Sequence, residues 1–70
     1  MMPLCYANPG EEAVIRKVGG SPEVKKHLED MGFVAGSIIR VVSSVNGNLI
    51  VSVKDTKVAL DKELAMRIMI

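Results

Sequence analysis

The period of the apolar positions changes several times along the chain, and each change marks an element. Leu49, Val51 and Val53 recur at every second residue, which sets them on the inner face of a strand over 49–54. The preceding stretch, 37–45, is crowded with β-branched residues and reads as its partner strand. Asn46–Gly47 between them is the strongest short hairpin signal in the chain. Further upstream the period lengthens. Val24, Leu28 and Met31 are spaced i, i+4, i+7, one buried stripe on a helix of about three turns. Ser21 suits its N-cap, Pro22 its first helical position and Glu23 the positive end of its dipole, while Gly32 stands where a left-handed cap ends it. Phe33 then offers the one phenylalanine as a core plug, and Gly36 turns the chain into the long hairpin.

The remaining segments are shorter. Residues 11–18 read as a strand with β-branched residues at the centre and imperfect alternation, stopped by Gly19–Gly20. Asp55–Thr56 predicts a second turn, 57–60 a short strand with Val58 and Leu60 on one side, and 61–65 a single helical turn capped by Asp61. Residues 66–70 read as a closing strand. The first ten residues hold Asn8–Pro9–Gly10, a turn signal, and Leu4, an apolar anchor for the arm. The sum is mainly β: about five short strands with tight turns, one inserted helix and a helical turn before the last strand, which favours a small closed barrel over an open sheet. Closure hides strand edges that an apolar chain of this size must protect.

Length and composition narrow what such a barrel does. Seventy residues make one domain, 1–70, with a small core and little room for a deep catalytic cleft. The single cysteine, Cys5, excludes an internal disulfide, and with one histidine it cannot complete a closed zinc site. Self-association or docking on a larger protein is the expected supplement. A net charge of +1 and the near absence of aromatic residues argue against nucleic acid as a partner. No apolar run reaches the roughly 18 residues of a membrane span, and the first residues lack the pattern of a signal peptide. A lone thiol without export signals fits the cytoplasm.

No catalytic set emerges. The glycines lack phosphate-loop spacing, and one histidine with scattered serines makes no nucleophilic constellation, so the chain is expected not to be an enzyme. Weak metal candidates are His27, which shares a helix side with Glu23 and Asp30 by spacing, and Cys5; a solvated charged helix and a packed thiol are the plainer readings. No cofactor is required, and a divalent transition metal ion would bind weakly. The five methionines read as core filling and adaptable contact surface. Partner contacts are expected on the helix and its flanking loop, with Lys25, Lys26, Glu29 and Val34, and a homodimer through an edge strand is a further expectation.

The residues also carry a resemblance. Pro3–Leu4 and Pro9–Gly10–Glu11 precede an apolar strand that ends in Gly19–Gly20. Then come Leu28-x-x-Met31–Gly32–Phe33-x-x-Gly36 and Ala59–Leu60-x-x-x-x-Ala65-x-x-Ile68-x-Ile70. Over nearly the whole chain this resembles the FeoA family, small cytoplasmic proteins of bacterial ferrous iron uptake. The resemblance implies an SH3-like barrel with an inserted helix, and an accessory role toward FeoB, the membrane transporter with a cytoplasmic GTPase domain. Ala35 departs from a frequent proline, Asp55 from a common glycine, and the hairpin around Asn46–Gly47–Asn48 is short and lacks the usual proline. The alternatives are a regulatory module like the C-terminal barrel of iron-dependent repressors, and a small transition-metal-binding protein.

Overall fold

The computed structural model describes residues 1–70. Its strands are β1 (Glu12–Val14), β2 (Lys17–Val18), β3 (Ile38–Val45), β4 (Asn48–Val53), β5 (Thr56–Leu60) and β6 (Ile68–Met69); helix α1 (Pro22–Asp30) lies between β2 and β3, and the turn-length α2 (Lys62–Ala65) between β5 and β6. Two antiparallel sheets result: a four-stranded one in the order β1-β3-β4-β5 and a two-stranded one, β2-β6. The arm contributes a 3-10 turn, Leu4–Tyr6, and Pro3 bridges Met69 at the rim of the small sheet.

Six strands replace the expected five because 11–18 is not one strand. The chain changes partners at Ile15–Arg16. The Ile15 N–H donates to Ser37 O (2.9 Å) and its carbonyl accepts from Gly36 N (2.7 Å), whereas the next amide, Arg16, donates to Met69 O at 2.7 Å on the opposite sheet. Ile15 and Val18 are both buried with two exposed residues between them, so the inward face slips by one position. A period of two cannot survive that slip. The imperfect alternation was the trace of a barrel corner, where one strand serves two sheets.

Three further differences are smaller. The expected last strand, 66–70, contracts to Ile68–Met69 because Met66 keeps a helical conformation (φ −69°, ψ −20°) as the C-cap of α2. The second hairpin turns on Lys54–Asp55 (φ +49° and +63°), one residue earlier than expected, so Thr56 opens β5. In β3 the pairing register with β4 shifts between Val41 and Ser43, a bulge at Val42.

Helix α1 forms as its signals dictate. Ser21 Oγ accepts from Val24 N–H at 3.3 Å, with Pro22 at the start and Glu23 in the first turn. Its end is a Schellman motif: Phe33 N–H donates to Leu28 O at 3.0 Å, Gly32 N–H donates to Glu29 O at 2.9 Å, and Gly32 takes φ +102°. The apolar contact that accompanies this motif falls to Leu28 and Phe33, both fully buried. Leu-x-x-Met–Gly–Phe is therefore one physical unit, a helix stop whose closing residues are core. The next turn, Val34 to Ser37, is closed by Ser37 N–H to Val34 O (3.0 Å) with Gly36 at φ +92°, as a type II turn demands at its third position.

One core serves both sheets. It joins Leu4 of the arm, Ile15 and Val18 of the corner, Leu28 and Phe33 of the helix end, Ile39, Val41, Leu49, Val51 and Val53 of the large sheet, and Leu60, Ala65 and Ile68 of the last third. Val24 and Met31 lie half-buried against it, and Leu28 is the one fully buried residue of the helix stripe. No buried side chain is polar or charged.

Candidate interaction surface

Because the interior is wholly apolar, any chemistry must come from the surface. On α1, Glu23, Lys25, Lys26, His27, Glu29 and Asp30 are all exposed, and Val34 after it is half-buried. The one ion pair in the protein is Arg40–Glu12, 3.0 Å apart and on the large sheet, so none of the helix charges is paired. No three His, Cys, Asp or Glu side chains are gathered where they could hold a metal ion. Glu23, His27 and Asp30 thus share a helix side by spacing without forming such a group. Cys5 is half-buried and packs on the core beside Leu4. Lys25, Lys26 and Glu29 form a mixed, solvated face with no large exposed apolar side chain among them.

Apart from Tyr6 on the arm and Val45 at the end of β3, apolar exposure concentrates in two places. On the outer face of the large sheet, Val14 pairs across the strands with Ile38, and Ile50 stands near the Val42 bulge. At the small sheet, Met1 and Met66 are exposed and Met69 half-buried. These three methionines line a hollow of about 220 Å³ with Lys17, Arg67 and the Gly19–Gly20 backbone. A second cleft, of about 450 Å³, opens between the start of α1 and α2 and is lined by Ser21, Val24, Asp61, Glu63, Leu64 and Arg67.

The position of the methionine hollow follows from local structure. Gly19 N–H donates to Arg67 O at 2.7 Å, which locks the end of β2 to the segment entering β6. A Cβ on Gly20 would meet Val24 Cγ1 at 3.2 Å, and Gly20 adopts φ +100°, so glycine is needed where the chain turns tightly into α1. Helix α2 presents Met66 at its end. Its N-cap Asp61 accepts from Leu64 N–H at 2.8 Å, and Asn48 Oδ1 accepts from Lys62 N–H at 2.8 Å. Spacing and residue type mark the methionines as core filling and adaptable contact surface, but they do not bring Met1, Met66 and Met69 together. Their convergence depends on a pairing between opposite ends of the chain, Lys17 with Met69.

The comparisons place this architecture. A family model described as the FeoA domain matches residues 2–70. The chain is 36% identical over 70 residues to "Putative Fe(2+) transport protein A" of Methanocaldococcus jannaschii, covering all of this chain and 85% of that one. A crystal structure of an iron uptake regulatory protein (FeoA) superposes with a TM-score of 0.91 at 30% identity, covering 97% of this chain and 92% of that one. The FeoA of Stenotrophomonas maltophilia, a prokaryotic SH3 domain protein crystallised with zinc, superposes with a TM-score of 0.85 at 28% identity over 99% of this chain and 88% of that one. A manganese-dependent transcriptional repressor shares the fold at 19% identity (TM-score 0.85), with 94% of this chain matching 38% of that one. With its SH3-like barrel, Schellman-capped helix and full-length match, the chain belongs to the FeoA family of ferrous iron transport proteins.

Proposed function

We propose that this protein is a non-catalytic accessory component of ferrous iron uptake that works in the cytoplasm by docking on the GTPase-bearing part of a FeoB-type transporter. The observation that carries this reading is the family match across residues 2–70, joined to an interior with no buried polar or charged side chain. A barrel with an apolar core and open surface clefts is built for contact. No helix is long and apolar enough to cross a membrane. The surface offers two candidate faces, the charged side of α1 with Lys25, Lys26 and Glu29, and the methionine hollow beside β6.

The test is an affinity measurement between the protein and its transporter, both full-length and as the soluble GTPase region, with GDP and with a GTP analogue, alongside uptake of labelled ferrous iron after deletion. Association in at least one nucleotide state and depressed uptake are expected. No association in any state, with normal uptake in the deletion strain, overturns the reading. Metal binding at His27 with Glu23 and Asp30 is a separate reading that rests on their spacing alone, since the structure does not gather the three into a metal-holding group. Titration with Fe²⁺ against His27→Ala decides it, since unchanged affinity removes that site.

A further inference from the structure

The methionine hollow combines three features. It gathers exposed apolar side chains: Met1 is 82% exposed and Met66 46% exposed. Those side chains are thioethers, soft and unbranched, which adapt to irregular partners at little cost. Its charged lining residues are Lys17 and Arg67, with no acidic residue among them, and neither cation is paired. Methionine and arginine are among the residue types enriched at protein interfaces. At about 220 Å³ the hollow is smaller than the roughly 300–1,000 Å³ of small-molecule pockets, and its size suits one or two apolar side chains of a peptide. The adjoining cleft is lined by Asp61 and Glu63 and has the opposite sign. An acidic chain is therefore drawn to one side of Arg67 and repelled from the other, which fixes where it lies.

We propose that this hollow is a docking site for an acidic, apolar segment of a partner protein, whose aliphatic side chains enter among Met1, Met66 and Met69 while its carboxylates meet Lys17 and Arg67. The identity of that partner as the transporter rests on the function proposed above; the chemistry of the site does not. Gly19–Gly20 and the β2–β6 pairing set the geometry of the floor, and the thioethers supply the adaptability.

The experiment uses the full chain labelled with carbon-13 at the methionine methyls and follows their resonances on titration with a short peptide in which leucine alternates with glutamate. Met66 and Met69 signals should move while Met31, on the helix stripe, stays put. Arg67→Glu, an exposed charge reversal, should weaken that binding about tenfold and Met66→Gln by a similar factor. A leucine–lysine peptide should bind Arg67→Glu in preference to the parent. No methyl shift with the acidic peptide, or equal shifts with both peptides, overturns the proposal. So does a response to vesicles of phosphatidylglycerol without one to the peptide, which would assign the patch to a lipid surface. Titration with the transporter's cytoplasmic region separates the two ideas. Binding that moves Lys25 and Lys26 amides and leaves the hollow methyls silent overturns this inference and keeps the docking function. Binding of the acidic peptide but not of the transporter keeps the hollow and overturns the docking function.

Discussion

The two sheets of the barrel are built from similar β-branched residues yet are held by different means. The four-stranded sheet is stitched largely by its own turns. Asn46 (φ +53°) and Gly47 (φ +86°) join β3 to β4, and Lys54 and Asp55 join β4 to β5, both with the left-handed pair of a tight hairpin. Each pairing closes a loop of two residues, so its entropic cost is low. The two-stranded sheet has no turn of its own. It joins Lys17–Val18 to Ile68–Met69, opposite ends of the chain, and depends on burial of its own Val18 and Ile68 in the core they share with Leu4 and Ile15. One sheet is specified locally and the other by burial. The exposed methionines sit on the second, so the proposed docking site belongs to the part of the fold that is costlier to assemble.

The largest expected effect breaks that comparison from the core. Ile68→Ala removes the one fully buried residue of β6 and should cost about 2–5 kcal/mol, comparable to the whole net stability of so small a domain. Urea denaturation reads the loss. In the unmutated protein, the amides of Arg16 and Gly19, which donate to Met69 and Arg67, should exchange with solvent faster than those inside β3 and β4. Equal protection would show the small sheet to be as firmly held as the large one.

A second test loosens α2, which delivers the chain to β6. Asp61→Ala and Asn48→Ala each free an α2 amide, that of Leu64 and that of Lys62, and should cost about 1 kcal/mol apiece. Faster exchange should appear at Ala65 and Met66 first, with β3 and β4 unchanged. Tightening the large sheet's connections should do the reverse. Asp55 occupies a left-handed position that glycine takes without strain, and Ala35 stands at the second position of the type II turn, where proline is preformed. Asp55→Gly and Ala35→Pro should each add about 0.5–1 kcal/mol, seen as a rise in Tm. A fall in Tm for Ala35→Pro would mean that this turn is not type II.

The same contrast decides what was legible in the sequence. Most locally specified features could be read, although the Lys54–Asp55 turn was expected one residue later. The Asn46–Gly47 hairpin, the Ser21 cap, the Gly32 stop, the Asp61 cap and the inward set Leu49, Val51 and Val53 are all where spacing and residue type placed them. The family signature was legible for the same reason, since Leu28 to Phe33 is a local helix stop. What escaped was the non-local part. The corner at Ile15–Arg16 needs a partner that lies fifty-odd residues away at Met69, and the alternation over 11–18 showed only that something interrupts it. The 3-10 turn at Leu4–Tyr6 is local and was missed as well, although Leu4 itself was evident as an anchor. The candidate site suffered most, because the hollow exists only when β2 and β6 meet.

Strand β1 tests how far the comparison reaches, because it is the member of the large sheet that arrives without a hairpin. It pairs with β3 across the helix insertion, with Glu12 opposite Arg40, and the ion pair between these two invites the idea that charge holds it. The geometry argues otherwise. Both side chains are 58% exposed, where water and salt screen the attraction and ordering two long side chains costs entropy. Around them, Gly10 N–H donates to Val41 O (2.7 Å), Val41 N–H to Glu11 O (2.9 Å) and Ile15 N–H to Ser37 O (2.9 Å), with Ile15 fully buried at the strand's end. Burial of Ile15 and the backbone ladder should therefore hold β1, as burial holds the small sheet. A double-mutant cycle of Glu12→Gln and Arg40→Gln should give a coupling of no more than about 0.5 kcal/mol, fading toward zero near about 1 M salt. A coupling above about 1 kcal/mol that persists at that salt concentration would make β1 a third kind of strand, fastened by charge.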